Sequence, residues 1–184
     1  MPGSSVVRKD GVVFVVIDIQ EKLLPSISEK ERVVENTVKL IEFAKKLNIP
    51  IVWTEQYPKG LGPTVEPIRN SLQGQRSLEK VAFSCFGAEG FAEALSAHDA
   101  KTLVLVGIET HVCVAQTALD AIDAGYRACV VKDAVSSRTQ ENKHVGIDRV
   151  RERGAIITST EGIMFEILEK AGTPEFKAVM HLLK

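Results

Sequence analysis

Basic residues are not in excess in this chain of 184 residues. Twenty-three Lys and Arg stand against 24 Asp and Glu, a formal net charge of −1. With no positive field to hold a phosphate backbone, no nucleic-acid partner is expected. Cysteine is scarce too. The three present, Cys85, Cys113 and Cys129, are odd in number and lack C-x-x-C spacing. That argues against a disulfide framework and for a reducing, cytoplasmic setting. Long apolar runs are missing as well. The first run, in MPGSSVVRKDGVVFVVID, is too short and too soon interrupted by Asp18 for a signal sequence or a membrane span, so no membrane partner is expected. No peroxisomal tripeptide closes the chain, which ends HLLK. No repeat, low-complexity tract or linker divides it, so one domain spanning 1–184 is expected.

What is present is an ordinary globular composition, 45% apolar and 26% charged. A chain of this size buries roughly 70% of its unfolded surface. GVVFVVID (11–18) is a continuous β-branched run, the pattern of a strand buried on both faces. Ser28 is placed to cap a helix carrying Val33, Val34, Thr37, Leu40, Ile41 and Ala44, which ends near Asn48 before Pro50. IVWTE (51–55) reads as the second strand and QYPKGLGPTVEP as a long functional loop. GAEGFAEALSAHDA reads as a short helix, TLVLVGI as the third strand, YRACVVKD (126–133) as the fourth and AIITS as the fifth. Thr139 is placed to cap a helix ending before Gly154, and EGIMFEILEKA and PEFKAVMHLL read as closing helices. This alternation predicts an α/β fold, a three-layer α/β/α arrangement around a mainly parallel, Rossmann-like sheet. Ligands of such sheets bind beyond the carboxyl ends of the strands.

Three segments deliver chemistry to those ends. Strand one closes on Asp18, a carboxylate that needs solvent or a partner after an apolar strand; a cap or a salt bridge to a loop lysine would supply one. Strand three closes on Gly107 and runs into IETHVC. With Thr110 as N-cap, Cys113 falls on the third helical position, where the helix dipole and free N–H groups lower a thiol pKa and can hold an oxyanion. Reactive thiol and inert packing residue are both open for Cys113. Its helical row (Cys113, Thr117, Asp120, Ala124) is mixed, whereas Val112, Ala115, Leu119 and Ile122 make the apolar stripe. In EKVAFSCFG (79–87), Lys80 enters an apolar segment, where it either supports a thiolate and a carboxylate or lies along Phe83 at the surface. Cys129, inside ACVV, reads as core, and Cys85 as packing near the lysine. Tyr57, Trp53, Phe83 and Phe86 are candidates to shape a substrate pocket. Lys132, Asp133 and Arg138 read as structural or subunit contacts.

Together these pieces resemble the cysteine hydrolases of the isochorismatase-like family, from about Val12 to beyond Ile157. The family pattern has a D-x-Q (here Asp18-Ile19-Gln20), a K-x-x-x-S-x-F (Lys80 to Phe86) and a G-[IV]-x-T-x-x-C-V turn (Gly107 to Val114). TEQYPKGLGPTV (54–65), GIETHVCVAQTALD and DAVSSR (133–138) resemble the subgroup of isochorismatase domain-containing proteins. The resemblance implies Cys113 as nucleophile, Asp18 as its base and Lys80 as the group that holds the pair. It implies a cis peptide at Ile108–Glu109, with the N–H groups of Glu109 and Cys113 as oxyanion donors, and Gln20, Tyr57, Phe83 and Phe86 near the substrate. It implies hydrolysis of a carbon–nitrogen or similar bond of a small molecule through a thioester, in a homo-oligomer.

Nicotinamidases of the family hold a metal through a D-x-H and a further histidine after the second strand. That region reads WTEQYPKG here, without histidine, so neither metal nor cofactor is expected. His98, His111, His144 and His181 do not replace those ligands: His111 and Cys113, two apart, face different sides of a helix. Two other readings stay open, a non-catalytic binding protein that keeps the fold and an isochorismate vinyl-ether hydrolase.

Overall fold

A computed structural model describes residues 6–183; the leader expectation for residues 1–5 and the C-terminal Lys184 lie outside them. Six strands run along the chain: β1 (Val12–Ile17), β2 (Ile51–Gln56), β3 (Leu78–Lys80), β4 (Thr102–Ile108), β5 (Arg127–Ser136) and β6 (Ile156–Thr158). They form one sheet in the order β3-β2-β1-β4-β5-β6, with every pairing parallel. The helices are α1 (Lys30–Lys46), α2 (Pro58–Leu61), α3 (Glu66–Ser71), α4 (Phe91–Ala97), α5 (Ala115–Asp123), α6 (Gln140–Glu152), α7 (Thr160–Leu168) and α8 (Pro174–Val179). No described helix is long and apolar enough to cross a membrane.

Strand periodicity sorts the helices into two layers. Val12, Phe14 and Val16 of β1 pack with residues of α1, α3, α7 and α8. The intervening Val13, Val15 and Ile17 pack with α4, α5 and α6. This is the expected three-layer α/β/α architecture.

The differences from expectation are local. LEK (78–80) is a sixth strand that propensity misses, because three residues at a sheet edge carry no periodicity; it orders TLVLVGI fourth. The long loop carries α2 and the start of α3. Ser28 does not cap α1: Glu29 holds the cap position at φ 54°, while the Ser28 hydroxyl donates to the Arg138 carbonyl at 3.0 Å. Thr139 does cap α6, accepting from the Asn142 N–H at 3.2 Å. Cys129 is fully buried in the core. Ser159 caps α7, accepting from the Gly162 N–H at 3.1 Å, while Asp133 Oδ1 accepts from the Thr160 N–H at 2.7 Å and Arg138 pairs with Glu109 at 3.1 Å.

Candidate active site

The carboxyl ends of β1, β2, β3 and β4 meet in register. Ile17 pairs with Thr54 of β2 and with Gly107 of β4, and Gln56 of β2 pairs with Lys80 of β3. A β-carbon on Gly107 would stand 2.1 Å from the Ile17 carbonyl oxygen, and its φ is +117°. Only glycine lets β4 approach β1 this closely before the chain turns. Asp18 leaves β1 in a left-handed conformation, φ 52°, which swings its side chain over the strand ends.

There Asp18 finds the partner its burial requires. It is fully buried, and its Oδ2 accepts from the Lys80 ammonium at 2.6 Å. Its Oδ1 accepts from the Thr54 hydroxyl at 2.7 Å, and the carboxylate is near enough to the Cys113 thiol to raise that thiol's pKa. The acid and the amine from two distant segments therefore form one ion pair, and the thiol from a third lies within their electrostatic reach. Lys80 is 3% exposed and does not lie along the surface over Phe83. Its Nζ donates towards Asp18, the Gln56 Oε1 (2.7 Å) and the carbonyls of Phe83 (2.9 Å) and Ala82 (3.3 Å).

Cys113 sits on a single π-helical turn, Thr110–Val114, that feeds α5. Glu109, not Thr110, occupies the cap position, and the Thr110 hydroxyl is buried without a hydrogen-bond partner. The Ile108–Glu109 peptide bond is cis. The N–H groups of Val112 and Val114 both donate to the Glu109 carbonyl. The thiol pKa moves opposite to the expected direction. Burial pushes it well above its ordinary 9.0, the Asp18 carboxylate adds to that, and Lys80 only partly opposes it. Desolvation beside an anion outweighs the end of one short turn. Cys113 is a thiol with its base at hand. The buried row of α5 also differs from the expected stripe: Ala115, Thr117, Ala118 and Ala121 are buried, while Leu119 and Ile122 are only partly so.

Of the expected substrate-facing residues, Gln20 and Phe86 are otherwise occupied. Gln20 is fully buried, its amide nitrogen donating to the carbonyls of Gln56 and Gly62 and its Oε1 accepting from the Gln56 N–H. It staples the loop after β2 to β1. Phe86 packs edge-on against Phe91 at 5.1 Å and beside Tyr126. Trp53 lies in the α1 layer, on the other side of the sheet from Cys113. Tyr57 and Phe83 are about half exposed. Tyr57 lines a groove of about 420 Å³ with Lys80, Val81 and Ala82, to which Cys113 does not contribute.

Two residues that the sequence reading passed over complete the cluster, Thr54 against Asp18 and Gln56 against Lys80. Their signal was available: polar residues two apart at the end of a buried strand share one face. Cys85 packs beside them, its sulfur 3.7 Å from the Thr54 hydroxyl and its pKa raised to about 11 by burial. Glu55, on the opposite face of β2, is committed to the Thr64 N–H, the Thr64 hydroxyl and Ser77. Among the described residues no group of three or more His, Cys, Asp or Glu is placed to hold a metal. His111 contacts the Ser137 hydroxyl at 3.0 Å.

Residues 12–162 match the family model described as the isochorismatase domain. The chain belongs to the isochorismatase family. It is 36% identical over 183 residues to isochorismatase domain-containing protein 2 of Danio rerio, covering 100% of this chain and 92% of that one. Among isochorismatase-family folds it resembles the structure described as MAR1 ribonuclease from Caenorhabditis elegans, with TM-score 0.91 and 34% identity over 97% of this chain and 92% of that one. It is similar as well to the YcaC gene product of Escherichia coli, described as an octameric hydrolase of unknown specificity. There the TM-score is 0.91 and identity 25%, over 99% of this chain and 91% of the other.

Proposed function

We propose that this chain is a metal-independent cysteine hydrolase that cleaves a C–N, amide-like bond of a small metabolite through a thioester on Cys113. The observation that carries the reading is one buried carboxylate, Asp18, paired with the Lys80 ammonium at 2.6 Å and close enough to the Cys113 thiol to act on its proton. As the sulfur attacks the substrate carbonyl carbon, its proton passes to Asp18, whose Oδ2 is held by the Lys80 ammonium. The oxyanion forms against the N–H groups of Glu109 and Cys113, beside the Ile108–Glu109 bond. The tetrahedral adduct collapses, the C–N bond breaks, and the leaving nitrogen takes the proton from Asp18. Water then adds to the thioester, gives a proton to Asp18, and the acid departs as the thiol recovers it.

Lys80 already meets four acceptors, and an ammonium has three protons. It has none left for a substrate carboxylate. An uncharged amide therefore suits the site better than isochorismate, and Tyr57 and Phe83 remain the residues to border it. A ribonuclease reading, prompted by the Caenorhabditis elegans relative, has little support in a net charge of −1. The setting we propose is one cytoplasmic domain, in keeping with three free cysteines, acting as a homo-oligomer as the octameric Escherichia coli relative suggests.

The test is turnover of a panel of small amides, nicotinamide, isochorismate and single-stranded RNA by wild type and Cys113→Ala. Release of an amine or ammonia from an amide, abolished in the variant, is expected. Turnover that survives Cys113→Ala would contradict Cys113 as the nucleophile, and a panel left untouched would favour the binding-protein reading.

A further inference from the structure

We infer that Gln56 must be uncharged, because it faces Lys80 and keeps a second anion away from the ammonium that serves Asp18 and Cys113. The inference rests on the reading of Asp18, Lys80 and Cys113 as the reacting set. Gln56 ends β2 in register with Lys80 and is 8% exposed. Its amide is used at both ends. Oε1 accepts from the Lys80 ammonium at 2.7 Å, and Nε2 donates to the Val81 carbonyl at 2.7 Å. Its own N–H is tied to Gln20 at 2.8 Å. An ammonium only donates and a carbonyl only accepts, and the glutamine amide meets both with its acceptor and its donor.

Charge decides which group serves. Of the four acceptors around Lys80, only Asp18 is charged; the others are an amide and two backbone carbonyls. The buried cluster thus holds one cation and one anion. Glutamate at 56 would match the shape of glutamine but bring a second carboxylate to the same ammonium. The field that Lys80 exerts on Asp18 and Cys113 would be divided, and forming a thiolate beside two anions would become harder. The added carboxylate would also face the Val81 carbonyl with no proton to offer. Protonated, it would be a neutral acid able to reproduce both glutamine bonds. Methionine would keep the bulk and the charge balance, leaving Lys80 with three acceptors for three protons.

The experiment is the pH dependence of Cys113 alkylation by iodoacetamide, mapped by peptide mass, in wild type, Gln56→Glu and Gln56→Met. For Gln56→Glu the log rate–pH curve moves up by about one pH unit, a tenfold loss of rate at fixed pH; for Gln56→Met it stays in place. Melting temperatures supply the second readout. The deficit of Gln56→Glu relative to wild type closes as pH falls from 8 to 5, as the new carboxyl takes its proton. A Gln56→Glu curve superimposed on wild type, a Gln56→Met curve shifted equally far, or a melting deficit independent of pH would overturn the inference. Wild type in which Cys113 is not the first cysteine alkylated overturns the underlying reading instead, and this inference with it.

Discussion

Asp18 and Lys80 are tolerable inside the protein because each neutralises the other. Both side chains have no exposed surface, so removing either leaves a buried charge unpaired, at a cost of about 3–5 kcal/mol. Asp18→Asn and Lys80→Met should each lower the urea midpoint accordingly, and the double variant should recover most of the loss; additive losses would mean that the pair is not coupled. Asp18→Asn should also separate thiol reactivity from catalysis. With the anion gone, Cys113 alkylation accelerates at fixed pH, while hydrolysis falls by at least about 10²-fold for want of a base. Cys113→Ala, in contrast, removes one small buried group and should cost about 1 kcal/mol in the same urea titration.

At the scale of elements, the site depends on how closely β4 can lie against β1. Gly107→Ala should unfold the protein or lower its urea midpoint by several kcal/mol equivalents, because the new β-carbon would meet the backbone of Ile17 at 2.1 Å in a conformation that disfavours side chains. A Gly107→Ala protein of wild-type stability would refute that packing. Here the reach of the sequence is clear. Buried parallel strands announce themselves as β-branched runs, and a run that ends in Asp18 or in Gly107-Ile108 announces what stands at its edge. β3 was not legible, since three residues at a sheet edge have no period to read. The turn bearing Cys113 was read as an α-helical start. Whether a strand hands over through an α turn or a π turn depends on close packing with α6, where Gly146 lies against the backbone of Thr110 and His111, and local propensity does not encode that contact. Gln20 was visible in the motif but not its task, because a buried amide takes its role from the loop that folds over it.

Over the whole molecule, all three cysteines are buried thiols whose pKa values are raised by loss of solvent first, to about 11 for Cys85 and about 12 for Cys129, with Cys113 raised in the same direction. Their ordinary value is 9.0. The unfolded chain therefore releases these protons from pH 9 upward while the folded chain keeps them. Stability is complete below pH 9 and falls above it, by up to about 1.4 kcal/mol per pH unit for each thiol. Cys129→Val, which removes one of these groups from the core, should flatten that alkaline decline in melting curves taken between pH 8 and 11; an unchanged slope would contradict the assignment. The same burial sets the order in which the thiols react. Cys85 and Cys129 have no exposed surface, whereas Cys113 retains 6%. The most direct measurement is peptide mapping after substoichiometric iodoacetamide on the native protein near neutral pH. The account predicts adduct on Cys113 well before either other cysteine. Adduct first on Cys85 or Cys129 would contradict the assignment of Cys113 as the nucleophile.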